Sequence, residues 1–261
     1  MQTIKLLKAL FRLNVQTSLA YRADAYINIL LNIMWLGLQL FELTIIFNNT
    51  DMLGGWRFSE LIALLGVFRL INTLMITLVW PNTEKFNQSI RDGSMDYTIL
   101  QPVNSMFLVT FSRITIWRFW DFIIAGGLIV VGINLSGDSI TPLQILTFSV
   151  LAISGVIIIY SLWIVLIALT FWFTKFDNNV TILQALMDAG RYPVSVYPMW
   201  LQFMVTYIVP IAVATNVPLQ GLRGELTISH MLFYITVSIV SFLIASIVWK
   251  SGLKRYSGAS S

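Results

Sequence analysis

The residues best suited to chemistry in this sequence are charged side chains inside otherwise apolar runs. A charge within a membrane span is energetically costly, so such residues mark a polar pathway or a buried partner. Arg69 lies mid-run with no acidic residue near it in sequence, so its partner must come from another helix, and Glu42 is the candidate. The candidate pathway residues are Glu42, Arg69, Arg118, Asp121, Asp188 and Arg191.

Two of these residue pairs are spaced to meet on one helix. Arg118 and Asp121 are three residues apart, which places them on the same helix face and favours a structural ion pair. Asp188 and Arg191 share this spacing but fall in a proline-interrupted stretch. For them, a structural pair and the lining of a translocation path are both open.

Composition argues against catalysis by the chain itself. The sequence has no cysteine and one histidine, His230, which excludes thiol chemistry, iron–sulfur clusters and the usual His/Cys zinc sites. It also has no G-x-x-x-x-G-K-[ST] phosphate loop. We therefore predict no catalytic residue, no metal site and no cofactor bound by this chain, and an intramembrane enzyme is disfavoured.

The elements that would position these residues are membrane-spanning helices. Of 261 residues, 57% are hydrophobic and 11% charged, against roughly 25% charged in soluble domains. The fold class predicted is an all-α integral membrane protein, with residues 1–261 forming a single transmembrane domain of six spans. The predicted spans are 25–47, 59–81, 114–134, 143–173, one net crossing within 178–218, and 227–249.

Two further segments are predicted beside the spans. Residues 3–22 carry basic and apolar side chains on opposite helical faces, which indicates an amphipathic helix lying in the interface. A soluble helix buried against a protein partner is the alternative. The stretch 178–218 is apolar but broken by prolines, which predicts one crossing plus a re-entrant segment on the outer side. Which half crosses is open.

Charge distribution predicts the orientation. Basic residues concentrate in the N-terminal helix, the loop 82–103, the turn 174–178 and the C-terminal tail, while the intervening loops hold only Arg57 and Arg223. By the positive-inside rule, both termini face the cytoplasm in an inner (plasma) membrane protein. The net charge of +4 is thus explained by topology, and no nucleic-acid partner is expected.

The loop 82–103 has the pattern of a short helix that projects from the membrane. Asn82 or Thr83 would cap it, Phe86 and Ile90 lie one turn apart, and Gly93 would end it. Such a helix suits docking into a partner's groove. The alternative is an interfacial loop whose two apolar side chains rest on lipid.

Two motifs resemble those of a known family. Gly93, Asp96, Leu100, Pro102 and Asn104 are similar to a stretch in the membrane subunits of type 2 ABC exporters. The prolines of the stretch 191–218 resemble the proline-punctuated segment that these permeases carry before their last span. The likeness covers nearly the whole chain in span order and loop length.

This resemblance implies a function and partners. It makes the chain the permease of an ATP-driven exporter, a homodimer or a heterodimer with a similar permease, bound to two cytoplasmic ABC ATPase subunits that carry the ATP and magnesium. Phe86, Ile90, Arg91 and Asp92 would contact the ATPase, while Gly93 and Pro102 shape the loop and Asp96 either caps the next helix or pairs with a basic residue there.

The coupling assignment carries its own expectation. Charged replacement of both Phe86 and Ile90 should detach the ATPase or uncouple hydrolysis, and should leave membrane insertion intact. Two alternative hypotheses are an ion-coupled secondary transporter and a non-transporting membrane assembly factor. The secondary transporter is disfavoured because the chain shows no internal repeat, and the sequence does not identify the substrate.

Overall fold

The chain is built from helices throughout the residues that the computed structural model describes, which are 12, 14–16, 22–137, 139–173 and 178–256. Within that part of the chain there is no β-strand, only an isolated bridge between Leu53 and Trp56. The predicted amphipathic helix 3–22 lies outside the described residues except for 12, 14–16 and 22, which are helical. The fold is therefore the predicted all-α membrane architecture.

Ten helices can be followed along the described residues. They are α1 (Arg22–Phe47), α2 (Phe58–Arg91), α3 (Met95–Ile99), α4 (Ser105–Phe111), α5 (Phe119–Ser136), α6 (Pro142–Ala168), α7 (Asn179–Asp188), α8 (Met199–Phe203), α9 (Ile211–Leu222) and α10 (Ile228–Arg255). Short 3₁₀ turns precede α5 and follow α6, at Ile116–Arg118 and Leu169–Phe171.

Five of these helical segments are long and apolar enough to cross a membrane, and a bent pair raises the number to six. The bent pair consists of Met199–Ile208 and Ile211–Leu222, whose axes differ by 89°. The break falls at Val209 and Pro210, because proline cannot supply the N–H that would continue the helix. This is the broken helical segment that the prolines predicted.

The helix that contains the second predicted span is longer than that span. The sequence placed its end at residue 81, but α2 continues to Arg91 through a π-helical stretch at Met75–Val79. Pro81 has no N–H to donate to the carbonyl of Thr77, and the N–H of Thr115 donates to that carbonyl instead, at 3.1 Å. The helix therefore passes the proline with its backbone satisfied.

Helix α2 is longer than a bilayer crossing requires. It has 34 residues, and at about 1.5 Å per residue it is about 50 Å long, against about 30 Å of hydrocarbon. Its last turns, from Phe86 to Arg91, lead directly into α3.

Close helix packing at glycines holds the spans together. Helix α2 packs on α5, and α6 packs on both α9 and α10. A Cβ added at Gly132 of α5 would lie 2.5 Å from the backbone nitrogen of Ala63 in α2, and one added at Gly155 of α6 would lie 2.7 Å from the carbonyl oxygen of Ala214. Small residues allow such backbone contacts in membrane helices.

This packing predicts a stability difference between two glycines of the same helix. Gly132→Ala should destabilise the protein by about 1–3 kcal/mol, because the added methyl forces α2 and α5 apart. Gly126→Ala is the matched control, since a Cβ there meets nothing within 4 Å. Thermal unfolding in detergent should show a lower Tm for the first variant alone, and equal Tm values would contradict the packing.

Candidate functional site: a polar cavity and a projecting loop

All six candidate pathway residues line a single cavity. Its volume is about 590 Å³, and it is bounded by α1, α2, α5 and α7. The ionisable residues that line it are Glu42, Arg69, Arg118, Asp121, Asp188 and Arg191. The sequence predicted these residues individually, and the fold brings them together.

Arg69 is held by amide side chains rather than by the predicted carboxylate. Its side chain, in a residue only 8% exposed, donates from Nε to Oε1 of Gln39 at 2.9 Å and from Nη1 to Oδ1 of Asn32 at 2.6 Å. Both partners lie on the same face of α1, seven residues apart. The predicted Glu42–Arg69 pair is therefore wrong.

Glu42 instead joins the first span to the segment after α7. Its carboxylate forms an ion pair with Arg191 and accepts a hydrogen bond from the hydroxyl of Tyr192. Glu42 lies almost one turn beyond Gln39 on α1, so it reaches residues 191 and 192 rather than Arg69. For Asp188 and Arg191, a structural pair and the lining of a path were both open. Both residues line the cavity, but Asp188 accepts from Nε2 of Gln184 at 2.9 Å while Arg191 pairs with Glu42.

The Arg118–Asp121 pair is as predicted. Nη1 of Arg118 lies 3.3 Å from Oδ2 of Asp121, at the start of α5. Nη2 of the same guanidinium donates to Oδ1 of Asn28 at 3.3 Å, which adds another contact to α1. Local spacing was sufficient to find this pair because both residues belong to one helical segment.

Sequence reasoning missed the amide stripe on α1. Asn28, Asn32, Gln39 and Glu42 recur at intervals of four, seven and three residues, which is one helix face. All four side chains line the cavity. A polar face of helical period in an otherwise apolar run was the signal that could have found it.

The loop after α2 differs from its predicted form. Asn82 does not cap a helix, because α2 is continuous there; its Nδ2 donates to the carbonyl oxygens of Thr110 and Arg113, both at 2.8 Å. Gly93 ends the helix as predicted, with a positive φ of 75° that favours glycine. The docking helix expected from the sequence is thus the end of a long span.

Phe86 and Ile90 are buried within the chain, at 2% and 8% exposure. The Phe86 ring packs against the rings of Phe171 and Trp249, with centroids 5.4 Å away in each case. These two side chains cannot present a docking face without unpacking the end of α6 and α10. The expectation that they contact a partner directly is corrected accordingly.

The exposed side chains of this loop are neighbours of Phe86 and Ile90 in the sequence. Arg91, Asp92 and Pro102 are exposed, and so are three apolar residues of α3 and the turn after it. These three are Tyr97 at 75%, Ile99 at 41% and Leu100 at 81% exposure. We call Tyr97, Ile99 and Leu100 the apolar tip.

Hydrogen bonds fix the turn that carries the apolar tip. Oδ1 of Asp92 accepts from the N–H of Ser94 at 2.9 Å, and hydrogen bonds from Ser94 lower the pKa of that carboxyl. Tyr256, just after α10, donates to the carbonyl of Gly93 at 3.3 Å. Burial, and then the nearby Asp96 carboxylate, raise the pKa of the Tyr256 hydroxyl. Asp96 therefore faces the C-terminal end of α10, while no side chain caps α3.

One comparison identifies the family of the chain. A family model described as "ABC-2 family transporter protein" matches residues 33–260. The chain belongs to the ABC-2 transporter family. A search of curated proteins and a search of solved structures each found no match.

In this ABC-2 permease a buried amide pair connects the C-terminal end of α2 with α7. Nδ2 of Asn87 donates to Oδ1 of Asn179 at 3.1 Å, and Nδ2 of Asn179 donates back to Oδ1 of Asn87 at 3.0 Å. Both residues are buried. Close by, Nε1 of Trp163 donates to Oγ1 of Thr83 at 2.7 Å.

Helix α7 carries this connection to the polar cavity. It begins at Asn179 and ends at Asp188, and Arg191 follows it. The permease thus has a continuous set of contacts from the loop, through α7, to the ion pair on α1. Among its described residues, no group of three or more His, Asp or Glu side chains is placed to hold a metal ion.

Proposed function

We propose that this membrane transport permease is the transmembrane subunit of an ATP-driven exporter and that separate ABC ATPase subunits dock on its apolar tip. The observation that carries the proposal is the family match over residues 33–260. The exposed apolar tip supports it. This tip follows the end of the long helix α2 and is bordered by Arg91 and Asp92.

The proposed assembly contains two permeases and two ATPases. The second permease is another copy of this chain or a similar chain. ATP and magnesium bind to the ATPases, because the permease has no phosphate loop. The loop and the C-terminal tail are rich in basic residues, which supports a cytoplasmic position for these two segments and for both termini. The proposed membrane is the inner (plasma) membrane.

The mechanism follows from the contacts described above. Closure of the ATPases on nucleotide moves the apolar tip and the end of α2. Because Asn87 and Asn179 hold each other through two hydrogen bonds, α7 moves with α2. The opposite end of α7 carries the Arg191 contact to Glu42, so the motion shifts α1 and changes the shape of the cavity.

Co-purification tests this function. The tagged permease should retain an ABC ATPase through mild detergent extraction, and vesicles holding the complex should export substrate only with hydrolysable ATP. A permease that is isolated alone and responds to proton or sodium gradients would be a secondary transporter, and the proposal would be wrong.

A further inference from the structure

Arg69 has no carboxylate of its own among its described hydrogen-bond partners. Both hydrogen bonds described for its guanidinium go to neutral amide oxygens, those of Gln39 and Asn32. Asp121 interacts electrostatically with Arg69, but this carboxylate is already paired with Arg118. Arg191 is near enough to repel Arg69. Arg69 and Arg118 therefore share the Asp121 carboxylate, whereas Arg191 has its own ion pair with Glu42.

An arginine held in this way can bind an anionic group. Within the described part of the chain, Nη2 of Arg69 makes no hydrogen bond, so it is available to a ligand. The guanidinium fork suits the oxygens of phosphate or carboxylate groups. Asn72 lines the same cavity, and its buried Oδ1 has no hydrogen-bond partner in the described part of the chain.

The cavity is also open at one side toward the surroundings of α1. Leu31, Trp35 and Leu38 line it and are 44%, 59% and 50% exposed. In the most apolar 18-residue window of α1, only 6% of residues are buried. A ligand held at Arg69 could therefore extend an apolar chain past these side chains.

We propose that the cavity binds an amphiphile with an anionic, phosphate-like headgroup and that Arg69 binds this headgroup. The inference rests on the proposed function and names its substrate class. A volume of about 590 Å³ suits a headgroup with part of its chain, since ligand pockets span about 300–1,000 Å³. Glu42 and Asp121 are engaged in ion pairs. Asp188 also lines the cavity and is hydrogen-bonded to the neutral Gln184, so a cationic competitor is included in the test.

Equilibrium binding to the full chain tests this proposal without any ATPase. The chain is placed in phosphatidylcholine nanodiscs with a fluorescent derivative of dodecyl phosphate as the probe. Dodecyl phosphate should displace the probe, whereas dodecyltrimethylammonium should not. Inorganic phosphate, which has no chain, should compete at least about tenfold more weakly, because the apolar contribution is lost.

Variants at Arg69 assign the site. Arg69→Gln should weaken probe binding about tenfold or more, since it removes a charge-assisted hydrogen bond. Arg69→Lys keeps the charge but loses the guanidinium fork, so its affinity for the probe should lie between those of the unchanged chain and Arg69→Gln. Arg255→Gln, an exposed arginine at the end of α10, is the matched control and should bind as the unchanged chain does.

The outcomes separate this inference from the proposed function. Unchanged affinity in folded Arg69→Gln or Arg69→Lys, or equal competition by dodecyltrimethylammonium, would overturn the anionic site. Equal competition by inorganic phosphate would overturn the assignment to an amphiphile. If the chain retains an ATPase and drives ATP-dependent export but does not bind dodecyl phosphate, the inference fails and the proposed function stands.

Discussion

Replacing Tyr97 and Leu100 together with aspartate should release the ATPase subunits while the permease stays folded. Both side chains are largely exposed, at 75% and 81%, so the fold loses little when they change. If they insert into the ATPase, two charges at the centre of the contact should weaken binding by at least about 100-fold, or about 2.7 kcal/mol. Retention of ATPase during purification measures the effect.

A matched replacement serves as the control. Met52 is an exposed apolar residue in the loop between α1 and α2, on the other side of the protein in the proposed topology. Met52→Asp should retain the ATPase fully. Normal retention by the Tyr97→Asp, Leu100→Asp double variant would place the docking surface elsewhere.

Phe86→Asp should have a different outcome. Phe86 packs between Phe171 and Trp249, so the replacement leaves a cavity and an unpaired buried charge, at a cost of about 3–5 kcal/mol or more. We expect low yields of folded permease rather than a folded permease without its ATPase. This replaces the expectation from sequence that charges at Phe86 and Ile90 leave the membrane domain intact.

Reversing the charge at Glu42 should destabilise the contact between α1 and the segment after α7. Glu42→Arg would face Arg191, and the contact between α1 and the segment after α7 would become repulsive. Breaking a buried ion pair costs about 3–5 kcal/mol, and because these side chains are partly exposed we expect about 1–3 kcal/mol. The fraction of monodisperse protein and its Tm in mild detergent report the loss.

Exchange of the charges distinguishes the possible partners of Glu42. Glu42→Arg combined with Arg191→Glu should recover much of the lost stability, because the ion pair is restored with opposite polarity. Glu42→Arg combined with Arg69→Glu should recover little, since Arg69 bonds to Gln39 and Asn32. Rescue by the second combination alone would contradict the contacts described here.

The sequence predicted those features that depend on local spacing. The apolar runs predicted the spans, the Arg118–Asp121 pair followed from helical period, and Gly93 ended its helix because a positive φ favours glycine. These features are set by residues a few positions apart, so no knowledge of the tertiary arrangement was needed.

The features that were missed depend on distant parts of the chain. Glu42 pairs with a residue 149 positions away, and spacing within one helix carries no information about that partner. Phe86 is buried only because α10 and the end of α6 pack on it. The second span was predicted to end at residue 81, but the helix continues, and the N–H of Thr115 donates to the Thr77 carbonyl that Pro81 cannot reach.

The most direct test of the central claim is the sidedness of Leu100. The native chain has no cysteine, so Leu100→Cys provides a single site for a membrane-impermeant maleimide. We predict labelling from the cytoplasmic face of inverted vesicles and protection from labelling when the ATPase is bound. Labelling from the outside of intact cells, or labelling from the cytoplasmic face that the bound ATPase leaves unchanged, would contradict an ATPase docked on the apolar tip.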